Sequence, residues 1–163
     1  MTLADQFSTQ IETAESELRA IAEAVGSEPY RIDGWMRKEL LGHLLDSALH
    51  NHMRFGLAMI QGELHYPNYD QEAWVRVHDY AGVEWRELVD YWCAANHRLA
   101  RLVARMQPAH FAIECNIGSN SGANPTMTLR ALAEDYLRHM RHHMDQIGGG
   151  VSAPNTAPAA GSA

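Results

Sequence analysis

Two histidines in the stretch YLRHMRHHMDQ, residues 136–146, have the spacing of a metal-binding pair. His139 and His143 are four residues apart, so on a helix they lie on one face, about 6 Å apart along the axis. They occupy an apolar stripe where Leu or Ile would be expected, and an unpaired buried polar group costs about 1–3 kcal/mol. A divalent ion would satisfy both rings. A hydrogen-bonded core pair is the alternative that the spacing leaves open.

A third ligand is expected from another helix, because open catalytic zinc sites commonly have three protein ligands and a water. His43 is the best candidate, since it borders the apolar face of a helix predicted from about Met36 to Gln61. His50 is about 10 Å further along that axis, and His52 and His142 point away from the metal-facing lines. The predicted ligands are His43, His139 and His143. Imidazole donors favour zinc or nickel, with Mn, Co or Fe as further options.

Two other residues of the same predicted helix are candidates for catalysis. Asp46 is one turn from His43, where a carboxylate could accept a hydrogen bond from a ligating histidine or move a proton. A plain surface carboxylate is the alternative. Arg54 could hold an anionic substrate, although an ordinary salt bridge would also explain it. The residues between His139 and His143 exclude HExxH, so the glutamate base of a zincin is missing.

Apolar residues recur at helical spacing in four long segments, which predicts an all-α four-helix bundle. The stretch 110–118 could add a short strand, and SNSGANP, residues 119–125, has the composition of a turn. The predicted helices run from Leu3 to Val25, from about Met36 to Gln61, from about Val83 to before Pro108, and from about Thr126–Thr128 to Ile147, where the glycine run follows.

Long connections between the helices are expected to surround the opening of a site. They are residues 62–82 and 108–125, and the predicted substrate contacts there are Tyr66, Tyr69 and Trp74, together with Arg54. Residues 1–147 are predicted to form the single domain. Residues 148–163 form a tail of small residues without charge, which cannot build a core of its own.

The composition of the 163-residue chain excludes several classes of protein. The net charge is -7 and no basic block is present, which argues against binding to nucleic acid or to an anionic membrane. No apolar run approaches the roughly 20 residues of a membrane span. Two cysteines make no disulfide framework, and the first residues do not form a secretory signal. We therefore expect a cytoplasmic protein that acts on a small molecule.

Four stretches of the chain, taken in order, resemble the DinB-like superfamily, most closely its branch of metal-dependent hydrolases and bacillithiol transferases. They are PYRIDGW (29–35), GHLLDSALHNHMRF (42–55), YDQEAW (69–74) and HMRHHMDQI (139–147). The resemblance implies an up-down-down-up four-helix bundle with one divalent ion held by three histidines. The matching positions are His43, before the DS pair, and His139 and His143. Gly42 stands where the family often has another histidine.

The resemblance also implies a class of reaction. Proteins of this family join low-molecular-weight thiols to electrophiles or are described as hydrolases, so thiol S-transfer with a thiolate on the ion is the favoured activity. Hydrolysis by a metal-bound hydroxide is the close alternative. A non-enzymatic stress protein with a structural metal is a third. Family members commonly pair through bundle helices, and the extra apolar residues Leu45, Leu49 and Leu57 lead us to expect a homodimer.

Overall fold

Four long helices form a bundle in the structure, a computed structural model that describes residues 1–31, 34–118 and 126–149. Helix α3 packs against α5 and α6, and α1 packs against both of the same helices. This arrangement confirms the predicted all-α four-helix bundle. The bundle helices are α1 (Leu3–Arg19), α3 (Arg37–Gln61), α5 (Trp85–Val103) and α6 (Leu129–Gly148).

The ends of the bundle helices follow from their capping residues. Thr2 and Asp5 form a reciprocal capping box at the start of α1, with hydrogen bonds of 2.8 and 3.1 Å. Thr128 caps α6 by accepting a hydrogen bond from the backbone N–H of Ala131 at 3.2 Å. Helix α3 ends at Gly62, whose φ of 79° is the left-handed conformation that glycine adopts without strain.

The first helix ends earlier than its apolar pattern predicts. Helix α1 stops at Arg19, and a short helix α2 (Glu23–Gly26) follows the break. The break is held by Glu23, which accepts a hydrogen bond from the backbone N–H of Trp85 at 2.7 Å and pairs with Lys38 at 2.5 Å. Gly26 lies under the Trp85 ring, where a Cβ would be only 2.7 Å from ring atoms. These tertiary contacts outweigh the helical periodicity.

The long connection from α3 to α5, residues 62–82, has secondary structure of its own. It contains strand β1 (Leu64–His65), helix α4 (Gln71–His78) and a 3₁₀ turn (Tyr80–Gly82). Asp70 caps α4 by accepting from the backbone N–H of Ala73 at 3.0 Å. This long structured connection carries the chain from the end of α3 back to the end where α3 begins, where Tyr80 packs on Gly42 and α5 starts at Trp85.

A three-stranded sheet forms beside the bundle, where the sequence predicted at most one short strand. Strand β2 (Glu114–Asn116) is central; it pairs in parallel with β1 and antiparallel with β3 (Thr126–Thr128). Cys115, within the stretch 110–118 where a short strand was expected, is fully buried in β2 opposite Leu64. Beyond α5, the chain reaches β2 through a 3₁₀ turn at Pro108–Ala112.

Two sequence predictions fall on residues whose structure is not described. The predicted turn at 119–125 lies there in full, and so does the tail from residue 150 onward. Among the helices that are described, none is both long and apolar enough to cross a membrane.

Candidate metal centre

Three histidines from two helices meet near one end of the cleft between α3 and α6. His43 comes from α3, and His139 and His143 come from successive turns of α6. Their ring nitrogens lie within 4.8 Å of one another, and Nε2 of His43 is 3.0 Å from Nε2 of His139. The rings stand edge to face, with centroids 4.6–5.0 Å apart. Because Zn–N bonds are about 2.0–2.1 Å long, this convergence fits three ligands of one ion.

Burial keeps the three imidazoles neutral. It lowers the pKa of His43 to about 3 and that of His139 to about 4, and neighbouring histidines lower both further. Burial also lowers the pKa of His143, although its hydrogen bond to Gln146 acts in the opposite direction. The neutral ring is the form that binds a metal. The donor set therefore fits a divalent ion at neutral pH.

Gln146 orients one of the three rings. Nδ1 of His143 donates to Oε1 of Gln146 at 2.6 Å in the tautomer that this contact favours. The same amide donates from Nε2 to Nε2 of His142 at 3.2 Å. Since Nδ1 of His143 carries the proton, its Nε2 keeps a free lone pair for an ion. His142 thus touches the site through Gln146 and stays outside the three-histidine group.

Asp46 is buried behind the site and is no surface carboxylate. Only 1% of it is exposed, and Oδ1 accepts a hydrogen bond from the Tyr80 hydroxyl at 2.6 Å. Burial raises the pKa of Asp46, while the Tyr80 hydrogen bond lowers it in part. Oδ2 of Asp46 and Nδ1 of His43 are both buried without a hydrogen-bond partner among the described residues.

A small cleft of about 140 Å³ opens beside His139. Arg54, predicted to lie near substrate, is on its wall and is only 7% exposed. Of the other predicted contacts, Tyr69 also lines the cleft, and Tyr66 lies against the Arg54 guanidinium. Trp74 is not on the wall; its ring packs against His50 and His78.

The remaining histidines of α3 lie apart from the three-histidine group. His50 bonds through Nδ1 to the Tyr66 hydroxyl at 3.0 Å and stacks on Tyr69, with ring centroids 3.8 Å apart. His52 is half-buried, with Nδ1 unpaired in the part of the chain that is described. Both positions agree with the helical placement predicted from the sequence.

Sequence reasoning missed three polar residues of the site. Gln146 was detectable, since it follows His143 by three residues and His142 by four, which places it beside both on a helix. Ser47 and Asn51 line the cleft and follow His43 by four and eight residues. Their alignment with His43 was visible in the spacing, but small polar residues carry no strong signal alone.

Comparison with known proteins gives partial matches in sequence. No protein-family model matches the chain. A Bacillus mycoides protein named "Putative metal-dependent hydrolase" is 32% identical over 79 residues, which make up 46% of each chain. A Bacillus pumilus protein of the same name is 31% identical over 75 residues, 46% of this chain and 43% of that protein. The matches therefore span less than half the length of either relative.

Two solved structures share the fold along most of the chain. YfiT from Bacillus subtilis, described as "a probable metal-dependent hydrolase with an unusual four-helix bundle topology", superposes with a TM-score of 0.76 at 20% identity. That match covers 88% of this chain and 83% of YfiT. A mycothiol-dependent maleylpyruvate isomerase gives a TM-score of 0.74 at 14% identity and covers 93% and 63% of the two chains. At these identities the likeness establishes the fold.

The fold and the sequence relatives together indicate the class of protein that this chain resembles. The chain is a four-helix bundle that resembles metal-dependent proteins of the DinB-like superfamily, as its sequence motifs predicted. It also presents a three-histidine group suited to a divalent ion.

Proposed function

We propose that this chain is a divalent-metal-dependent enzyme that joins a low-molecular-weight thiol to an electrophile, with His43, His139 and His143 holding the ion. The observation that carries the proposal is the convergence of three neutral imidazoles beside a cleft, with His43 buried and His139 and His143 half-buried. When bound, a zinc or nickel ion would supply charge that lowers the pKa of a thiol and polarises an electrophile.

The protein residues have separate tasks in this proposal. Gln146 fixes the orientation of His143 through the 2.6 Å hydrogen bond to Nδ1. Asp46 is one turn from His43, and in this proposal its Oδ2 accepts a hydrogen bond that Nδ1–H of His43 donates through one bridging water. The support is that the Asp46 oxygen and the His43 nitrogen are buried and unpaired within the described chain. Histidine ligands commonly donate their second N–H in this way.

The donor set favours a thiol over water as the nucleophile. In the described residues, the candidate metal group contains only histidines, and the buried Asp46 is bound to Tyr80 away from the cleft wall. Asp135 lines the cleft but bonds to Arg138 at 2.6 Å. A thiol ionises near pH 8.5 and water near 15.7, so a thiol depends much less on a protein base.

Metal-dependent hydrolysis is the second candidate. The names of the Bacillus relatives and the description of YfiT favour it. It would use the same three histidines and the same cleft. A purely structural metal is the third candidate; the cleft beside His139 counts against it, because structural zinc sites are closed by a fourth protein ligand.

The test compares metal-free and metal-loaded protein with L-cysteine or glutathione and a chromogenic aryl chloride. In the reaction a C–S bond forms, chloride leaves and the thiol proton passes to the buffer. We expect conjugation to vanish on chelation and to return with Zn²⁺ or Ni²⁺. A 4-nitrophenyl ester panel, assayed in parallel, tests hydrolysis.

Three ligand variants and one control sharpen this test. His139→Ala should lose most of the bound metal and stay inactive with excess metal, and His43→Ala and His143→Ala should also lose metal. His97→Ala is the matched control, since His97 is exposed on α5 and bonds to Glu15 at 2.8 Å. Equal conjugation by metal-free and metal-loaded protein would rule out the transferase, and metal-dependent ester cleavage without conjugation would establish the hydrolase.

A further inference from the structure

Arg54 is a buried cation that makes no ion pair with the residues that the structure describes. It is 7% exposed, and no carboxylate among the described residues lies within ion-pair distance of its guanidinium. Its Nε is buried and unpaired. An unpaired buried charge is strongly unfavourable, so proteins rarely keep one without a ligand.

The groups in contact with Arg54 are aromatic or neutral, and the Asp135 carboxylate on the same cleft acts on it beyond ion-pair distance. The guanidinium carbon lies 5.1 Å from the centre of the Tyr66 ring and 6.0 Å from that of Tyr69. His50, one turn earlier on α3, is kept neutral because burial and the Arg54 charge both lower its pKa, to about 4. Aromatic faces stabilise a cation in part but leave its hydrogen-bond donors free.

The same cleft wall offers one further unpaired polar atom, a hydrogen-bond acceptor. Asn51 is 5% exposed, and its Oδ1 has no hydrogen-bond partner in the described structure, while Nδ2 donates to the backbone oxygen of Ser47 at 2.9 Å. Arg54, Asn51 and Ser47 share the cleft with His139. Ile117 and Leu132 add apolar surface to the same wall. A built polar pocket therefore adjoins the three-histidine group.

We propose that Arg54 binds the carboxylate of an anionic substrate, and that it sets the specificity of the site for monocarboxylates. A planar carboxylate matches the fork of guanidinium N–H donors, and apolar surface on Ile117 and Leu132 would contact the rest of the molecule. This inference rests on the proposed function in one respect, because it takes the bound carboxylate to be part of the enzyme's substrate.

The charge balance of the metal-free cleft favours a monoanion. Arg54 supplies a single positive charge, and the carboxylate of Asp135 lines the same cleft. A doubly charged phosphate would leave one charge uncompensated and would face Asp135. The volume of about 140 Å³ also suits a carboxylate with a few attached carbons.

The test measures binding of benzoate, with inorganic phosphate as the rival anion. Isothermal titration is run on the full chain as purified and again after chelation, so the result does not depend on the metal. We expect benzoate to bind both forms, and Arg54→Met to weaken binding at least about tenfold. Arg54→Lys should bind with intermediate strength, because it keeps the charge and loses the fork.

A stability measurement separates ligand binding from a structural role. Because an apolar side chain relieves the unpaired buried charge, Arg54→Met should raise Tm by about 2–8 °C. The control Arg141→Met removes an exposed arginine that pairs with Asp145 at 3.1 Å; it should leave benzoate binding unchanged and give no such rise.

Three results would overturn the inference: no benzoate binding by wild-type protein, unchanged binding by Arg54→Met, or tighter binding of phosphate than of benzoate. A lower Tm in Arg54→Met would show that the arginine is structural. None of these outcomes depends on whether the three histidines bind a metal, so failure of the proposed function is detected separately.

Discussion

At the scale of single residues, burial keeps the three histidines of the candidate metal centre neutral. His43 is 2% exposed, and no carboxylate among the described residues bonds to its ring. A neutral imidazole suits a metal ligand, but it makes the metal-free protein sensitive to acid. His50, which borders the cleft residues and is 9% exposed, is also a neutral buried ring and adds to the acid sensitivity.

The metal-free protein should lose stability between pH 7 and pH 5. Burial lowers the pKa of His43 to about 3 and those of His50 and His139 to about 4, while the unfolded chain titrates near 6.5. Below pH 6.5 the unfolded chain binds more protons, so this stability is lost as pH falls towards 4. The loss is up to about 1.4 kcal/mol per pH unit for each buried group.

Urea unfolding after chelation, at pH 7.5, 6.5 and 5.5, measures this slope. Burial raises the pKa of Asp46, so Asp46 acts in the opposite sense and reduces the net effect. The carboxyl groups of Glu15 and Glu23 have lowered pKa values and respond only below about pH 4.5. His50→Gln should show a smaller slope than wild type. A free energy of unfolding that does not change over this pH range would refute neutral burial.

At the scale of elements, helix α3 supplies one of the three histidines and most of the polar residues of the adjoining cleft. His43, Ser47, Asn51 and Arg54 follow one another at spacings of four, four and three, and all are buried. The helix therefore carries a polar line through the interior, next to an apolar face with Leu44 and Phe55. Polar burial of this extent is unfavourable unless ligands satisfy it, which agrees with a binding cleft.

Gly42 lets the segment after α4 approach α3 closely. A Cβ at Gly42 would lie 2.0 Å from the Tyr80 ring, whereas a Cβ at Gly56 on the same helix would meet no atom within 4 Å. Gly42→Ala should thus displace Tyr80 from Asp46 and lower the free energy of unfolding by about 1–3 kcal/mol. Gly56→Ala should raise it by about 0.5–1 kcal/mol.

Urea unfolding of both variants provides the comparison. The two substitutions add the same methyl group to the same helix, so helix propensity cancels between them. Changes of the same sign would show that Tyr80 does not pack against Gly42 as the structure has it.

The sequence predicted elements better than it predicted contacts between them. Apolar periodicity located the bundle helices, a threonine near residues 126–128 marked the start of the last one, and helical spacing grouped His139 with His143. The three-stranded sheet was not predicted, because its strands have only two or three residues and β1 and β2 are about fifty residues apart. The break after Arg19 depends on contacts of Glu23 with distant residues, which local periodicity does not reveal.

At the scale of the whole molecule, helix α3 has an exposed apolar stripe that could pack against a second copy of the chain. Leu49 and Met53 are about half exposed and Ile60 is 83% exposed. Of the residues expected at an interface, Leu49 lies on this stripe, whereas Leu45 is buried and Leu57 is half-buried against the core. An apolar stripe on one face is typical of a protein interface.

We predict a homodimer that buries this stripe. Light scattering at micromolar concentration should give about twice the 18.2 kDa of the chain. Combining Leu49→Asp with Met53→Asp should produce monomers, because charges would be buried in the interface. Val77→Asp, at an 82% exposed position on α4, is the control and should remain dimeric. A wild-type particle of 18 kDa would contradict this prediction.

X-ray absorption spectroscopy of the zinc-loaded protein tests the central claim, an open three-histidine metal centre that accepts a thiol. We predict three imidazole nitrogens near 2.0–2.1 Å and a light fourth ligand, with a sulfur neighbour near 2.3 Å after L-cysteine is added. His52→Ala should give the same spectrum as wild type, and His139→Ala should lose imidazole scattering. A closed set of four protein ligands, or a spectrum unchanged by the thiol, would contradict the account.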